Sequence, residues 1–442
     1  MELTLQLFDQ GEWHDAVQLR FPDPQRGFQG GCHFGYLNEY IWPNVEFLDS
    51  PFAKSVSVRA PLSFDQYRSK LAPAFLYDIA PAGAARRSLM KRLGSSKPAK
   101  LAEDIFLLAR STPAPVGHLR VKESMAYFEA HVGGHPGFTR QDIIERDTGF
   151  IEYAYEMGAA IGGASGAGGA APKLLMSEDR QGRLHPDAVL NDQDVVQHWF
   201  VKFPRNNGNR RDQEILASEF CYYKALHVLG IDTVAQSGLA LEEGMGPSLW
   251  MQRFDRVVTT QGVERFALES VYSVAGETEA GAYMEHNTVI DLLAKLWINA
   301  GQEQQVDELI DEYLRRDLLN KILGNSDNHG RNTSIIRGTS SFRLAPVYDL
   351  APMVMDDEGI TRTTKWAQPI ERGGEVDWRL ACASLSQWTN ADDAFDRLRA
   401  QARELLALPD ILANLPLPAA TWSHPGVHLK DLKGYLNKGG LL

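Results

Sequence analysis

The most specific run in the sequence is Asn325-Ser326-Asp327-Asn328-His329-Gly330-Arg331-Asn332. Asp327 and Asn332 stand five apart: a carboxylate able to accept a hydroxyl proton, and a neutral amide oxygen of the kind Mg²⁺ accepts. Seventeen residues after Asn332, Asp349 closes the run Leu344-Ala345-Pro346-Val347-Tyr348-Asp349, a second carboxylate expected at a strand end. Lys202 lies within the apolar run 199–203. A lysine in a strand centre costs desolvation unless an anion or carboxylate neutralises it. Glu219, on the next expected helix, could pair with it. Taken singly, these are polar turns and a snorkelling edge lysine. Taken together they suit transfer of a metal-bound phosphoryl group, which needs positioning and charge neutralisation more than covalent chemistry.

A biased segment precedes them. Of the 14 residues 158–171, six are Gly and six Ala, with only Ile161 and Ser165 interrupting. It can be a flexible linker, although it sits between a helix and an apolar strand. Gly166, Gly168 and Ala171 match G-x-G-x-x-A, but the strand that should precede that fingerprint is missing. As a phosphate loop it has suitable physics, with backbone N–H groups able to converge on anionic oxygens. There is no G-x-x-x-x-G-K-[ST], hence no Walker-type loop, and no G-x-S-x-G elbow for a serine hydrolase. Gly-rich loop, strand lysine, Asp/Asn loop and later Asp occur in protein-kinase order, and the Asp327–Asn332 offset equals that of H-R-D-x-x-x-x-N.

The elements that must position these groups follow from periodicity. Residues 1–60 alternate apolar and polar positions between Gly/Pro turns and predict short antiparallel strands. Helical patterns are expected over 64–93, 102–110, 139–157, 212–229, 291–300, 306–323 and 391–408, and strands over 173–176, 198–203 and 249–254. Arg86, Arg87, Lys91 and Arg92 form a basic helix face, either solvated surface or a dock for an acidic partner. The pairs His131/His135 and His424/His428 lie among Pro and Gly and read better as loop histidines than as zinc ligands. Trp366, Trp378 and Trp388 read as core or lobe-interface residues rather than a base-stacking platform.

The segments Gly168-Gly169-Ala170-Ala171-Pro172-Lys173, HWFVKFP (198–204), Gln252-Arg253-Phe254-Asp255-Arg256, 326–332 and Val347-Tyr348-Asp349-Leu350 resemble the HipA-like serine/threonine kinases, toxin halves of bacterial toxin–antitoxin pairs. Residues 75–93 and 107–121 also look like that family's N-terminal subdomain, so the likeness spans nearly the whole chain. It implies an α+β, protein-kinase-like two-lobed fold: a mostly antiparallel N-terminal β lobe with an appended subdomain, and a helical C-terminal lobe. The expected divisions are 1–122, 123–256 and 257–442. It implies ATP and Mg²⁺ as cofactors and a protein Ser/Thr hydroxyl as acceptor. Asp327 would be the proton acceptor, with Asn332 and Asp349 on the metal. Gly168, Gly169, Ala170, Lys173, Lys202, Gln252, Arg253, Phe254, His329, Asn332, Tyr348 and Asp349 would line the nucleotide, Gln252 to Phe254 forming the adenine hinge. Glu219 would supply the structural ion pair, and Ser165 would be autophosphorylated, which ejects the loop and switches the kinase off. The stretch 165–173 is one residue longer than the family pattern. The implied partners are a protein substrate (an aminoacyl-tRNA synthetase or another translation protein) and a HipB-like helix-turn-helix antitoxin. A small-molecule phosphotransferase and an inactive kinase-like binding module are the alternatives.

Composition limits the rest. The chain has 442 residues, 44% hydrophobic and 23% charged, which is too apolar for a disordered protein. With 45 Lys and Arg against 57 Asp and Glu, its net charge of −12 disfavours direct nucleic-acid binding. Three dispersed cysteines make neither a disulfide framework nor a thiolate zinc site. Neither a secretory signal nor a membrane span is expected, and a reducing, cytoplasmic setting fits.

Overall fold

The structure is a computed structural model that describes residues 1–131, 137–146 and 173–442. It is a mixed α and β protein whose sheets are mainly antiparallel, and it divides into two compact units. The first comprises Met1–Asn206, Ser237–Ala280 and Ser334–Arg343. The second comprises Asn207–Gln236, Gly281–Thr333 and Leu344–Leu442. Among the described residues no helix is long and apolar enough to cross a membrane.

In the first unit, β1 (Glu2–Asp9), β2 (Glu12–Arg20), β3 (Cys32–Tyr36), β4 (Tyr67–Ser69) and β5 (Leu119–Val121) form an antiparallel sheet in the order β4-β3-β2-β1-β5. The alternation of β1 buries Leu3, Leu5 and Leu7 completely, in the core shared with Val17, Leu19 and Phe34. Two expectations change here. Only β4 forms at the start of 64–93, because Phe34 pairs with Tyr67 across the ladder and their rings stack at 4.9 Å; helices then follow at Phe75–Ile79 and Gly83–Leu93. Residues 55–58 make no named strand, only an isolated bridge between Ser57 and Ala60.

A second five-stranded antiparallel sheet holds β6 (Lys173–Asp179), β7 (Leu184–Pro186), β8 (Val195–Lys202), β9 (Ala240–Glu242) and β10 (Ser248–Gln252), ordered β7-β6-β8-β10-β9. Leu174, Met176, Val201 and Trp250 fill the core on one face. The period of two therefore sends Lys173, Lys202 and Leu249, which are register partners, to the other face as a row. Lys202 ends its strand instead of occupying the centre, since Pro204 two residues on has no N–H to continue a ladder. The helix expected over 139–157 is seen as Arg140–Ile144, started by a Thr139/Asp142 capping box; 147–157 lie outside the described residues.

His118 in this unit carries a pH test. Burial, with Arg337 adding to it, takes its pKa from 6.5 down to about 3. Between those values the unfolded chain binds a proton that the fold refuses, so this stability is present above 6.5 and is lost as pH falls. The urea midpoint should drop between about pH 7 and about pH 5, and His118→Gln should flatten that slope. An unchanged slope in the variant would remove His118 as the cause.

The second unit is helical. Arg210–Val228 begins at an Asn209/Asp212 capping box, and His286–Asn299, Val306–Leu323 and Ala391–Leu405 follow. Val306–Leu323 ends at Gly324, whose φ is +72° and where a Cβ would lie 2.8 Å from the Gly426 carbonyl oxygen. That position requires glycine, and it turns the chain directly into Asn325.

Candidate active site

The second unit builds the Asp/Asn loop by backbone-directed hydrogen bonds. The Asn325 side chain accepts from the Asp327 N–H at 3.2 Å. The Asn332 Nδ2 donates to the Asp327 carbonyl at 2.7 Å. This orientation engages Asn332 through its nitrogen and presents the amide oxygen, the atom a hard cation takes. Asp327 and His329 are both buried, with His329 Nε2 3.6 Å from Asp327 Oδ1. His329 Nδ1 accepts from the Arg331 N–H at 3.2 Å.

Asp349 joins this loop. Asn325 Nδ2 also donates to the Asp349 carbonyl at 3.3 Å. Asp349 does not end a strand, as had been expected: the strand Phe342–Leu344 stops before Pro346, and Val347 makes an isolated parallel bridge to Thr233. Asp349 itself has φ +55°, a left-handed conformation uncommon outside glycine and tolerated best by Asn and Asp. Such outliers cluster where a side chain is aimed for a purpose. Tyr348, expected at the nucleotide, donates its hydroxyl to the Arg331 carbonyl at 2.6 Å, a second tie between the two segments.

Glu219 is 1% exposed on the helix Arg210–Val228 and accepts from the Tyr223 hydroxyl at 2.9 Å. Behind the loop, the Thr363 and Thr364 N–H groups donate to the Asn328 carbonyl. Arg362, one residue earlier, donates to Asp317 at 2.5 Å and to Glu371 at 3.0 Å. Burial pushes the Asp317 carboxyl up, but Arg362 and His286 outweigh it and hold it far below its ordinary range. This network rigidifies the segment against which the loop is held. Tyr223, the bridging role of Asn325 and the Arg362 network were missed by sequence reasoning, because nothing local marks them.

The first unit carries the other expected residues. Lys173 and Lys202 face each other across β6 and β8, and Lys202 is 7% exposed. Like charges at directly paired positions are unfavourable unless negative charge offsets them. Gln252, at the end of β10, accepts from the Ser237 hydroxyl at 2.6 Å. Arg253 is engaged elsewhere: its guanidinium binds Asp187 and Asp255, each at 2.8 Å, and its N–H donates to the His198 carbonyl. Phe254 follows, half-buried. Gly168, Gly169, Ala170 and Ser165 lie outside the described residues.

Of the histidine pairs, His424 Nδ1 accepts from the Gly426 N–H and His428 stacks on Tyr435, while His131 ends the helix Lys122–His131 and His135 is not described. Trp366 and Trp378 are buried, as expected of core residues. Among the described residues no group of three or more His, Cys, Asp or Glu could hold a metal. The Asn332 oxygen and the Asp349 carboxylate still fit Mg²⁺, which takes one or two protein oxygens and completes its shell with water and phosphate.

Residues 165–408, more than half of the chain, match the family model of the HipA-like C-terminal domain. A solved Shewanella oneidensis MR-1 structure, HipA with HipB and its operator DNA, aligns with a TM-score of 0.61 at 17% identity, covering 99% of this chain and 96% of that one. At that identity the likeness is one of fold. The Helicobacter pylori proinflammatory kinase CtkA aligns at a TM-score of 0.32 and 14% identity, covering 60% of this chain and 91% of that one. No curated protein matches the chain.

Proposed function

We propose that this chain, which belongs to the HipA-like family, is an ATP- and Mg²⁺-dependent serine/threonine protein kinase with a kinase-like two-lobed arrangement. The observation that carries this reading is the tie between the two acidic segments: one side chain, Asn325, holds both the Asp327 N–H and the Asp349 carbonyl. It makes one assembly of a proton-accepting carboxylate and a metal-facing carboxylate that the sequence keeps apart.

In this mechanism Asp327 accepts the proton of the acceptor hydroxyl as that oxygen attacks the γ-phosphorus of ATP, whose bond to the bridging oxygen breaks to release ADP. Asn332 and Asp349 would hold Mg²⁺, which when bound neutralises charge on the phosphates. Lys202 and Lys173 orient the phosphate oxygens, with Glu219 the partner of Lys202, and the backbone near Gln252 and Phe254 meets the base. Because the Arg253 side chain and N–H are engaged, its part is to stiffen that segment. Gly168, Gly169 and Ala170 cover the triphosphate, and Ser165 is the autophosphorylation site. The acceptor is a protein, of the translation apparatus in this reading. The Shewanella HipA was solved with HipB and operator DNA. We extend to this chain a HipB-like partner, which would make most of the contacts to DNA, since the chain itself carries a net charge of −12.

Intact-protein mass spectrometry after incubation with Mg²⁺ and ATP tests the proposal. The expected result is a single phosphate added at Ser165 and absent from the Ser165→Ala variant. Phosphorylation of small alcohols but not of protein would favour a small-molecule phosphotransferase. Thermal stabilisation by Mg²⁺ and ATP without any transfer would favour a binding module.

A further inference from the structure

The peptide between Asp349 and Leu350 is gripped at both polar ends. Its carbonyl accepts from Asn325 Nδ2 at 3.3 Å, and its N–H donates to the Tyr223 hydroxyl at 3.2 Å. The same hydroxyl donates to Glu219 Oε1 at 2.9 Å. Tyr223 is completely buried, and burial, with Glu219 and Asp349 adding to it, pushes its pKa well above the ordinary value, so the hydroxyl keeps its proton. Orienting a peptide plane sets the ψ of the residue before it, and that residue is Asp349 in its left-handed conformation.

We propose that Tyr223 is a positioning residue for metal binding: with Asn325 it clamps the Asp349–Leu350 peptide and so aims the Asp349 carboxylate. The inference rests on the proposed role of Asp349 as a metal ligand. A left-handed aspartate costs of order 1–3 kcal/mol and persists only where its surroundings impose it. The clamp is such an imposition. Through one hydroxyl it also ties the aim of Asp349 to the helix that carries Glu219, so the ion-pair residue and the metal residue move together.

Tyr223→Phe keeps the ring and removes only the hydroxyl. In the full-length variant, Mn²⁺ binding read by electron paramagnetic resonance with a non-hydrolysable ATP analogue should weaken about tenfold, as for loss of an outer-shell partner. The Mg²⁺ concentration for half-maximal transfer should rise in parallel, with kcat at saturating Mg²⁺ close to wild type. A tyrosine that only packs would lower the melting temperature and leave metal affinity alone; that result overturns the proposal. Should Tyr223→Phe fail to fold, Asn325→Ser releases the other end of the same peptide and should shift metal affinity likewise; wild-type affinity there is equally fatal. Failure of the kinase reading itself is separable, because it shows as binding of metal and nucleotide without any transfer by the wild-type protein.

Discussion

Replacing Asp327 by asparagine is expected to slow phosphoryl transfer by about 10²–10⁴-fold, the contribution of a positioned proton acceptor, at an unchanged melting temperature. The loop does not depend on the carboxylate for its shape. The Asp327 N–H is held by Asn325 and its carbonyl by Asn332, both through the backbone. An amide of the same size leaves those bonds in place and removes only the basic oxygen. Radiolabelled transfer by the variant at the wild-type rate would refute the assignment, whereas a lowered melting temperature would show the carboxylate to be structural. This outcome is independent of the peptide clamp, which acts on metal affinity.

The second large effect is on stability. Asp187, with 2% of its side chain exposed, accepts from Arg253 at 2.8 Å, from Arg256 at 2.5 Å, from Ser177 at 2.6 Å and from His198 at 2.8 Å. Burial would push its carboxyl up, but the Arg256 and Arg253 guanidiniums outweigh it and hold it well below the carboxylate range. Asp255 beside it is brought down to about 2 by the same guanidiniums, against its own burial. Asp187→Ala leaves two buried guanidiniums with one carboxylate between them, and should cost about 3–5 kcal/mol in urea unfolding. The linkage has a fixed sign. Both carboxylates are depressed in the fold, so their stability is present above the unfolded carboxyl pKa and is lost as pH falls through the folded values. A loss below about 1 kcal/mol would mean the cluster is solvated in solution. Because Arg253 closes the segment after β10, the same change should also weaken nucleotide-analogue binding.

Much of the proposed chemistry is written in short stretches of sequence. Asp327, Asn332 and Asp349 read singly as polar turns and stand out only together, in protein-kinase order. Val306–Leu323, the helix leading into that loop, has the bounds its apolar periodicity predicts, and Gly324 ends it. Lys202 stands out as a cation in an apolar run, and the structure only moves it from the middle to the end of its strand. These features are legible because propensity, capping and alternation act over a few residues.

What the sequence leaves open are the joins. Asn325 reads as one more polar loop residue until its side chain spans Asp327 and Asp349, 24 positions from its farther partner. Tyr223 reads as one of many core aromatics until its hydroxyl meets Leu350, 127 positions away. Arg253 reads as a nucleotide contact until Asp187, 66 positions earlier, engages it. Even the left-handed turn of Asp349, a property of a single residue, comes from hydrogen bonds made by two distant side chains. Residue types and short spacings singled out the groups of the proposed chemistry. Their aim was decided by tertiary structure, because a hydrogen bond between segments far apart in the chain forms only once the fold has met the entropy of closing the loop between them.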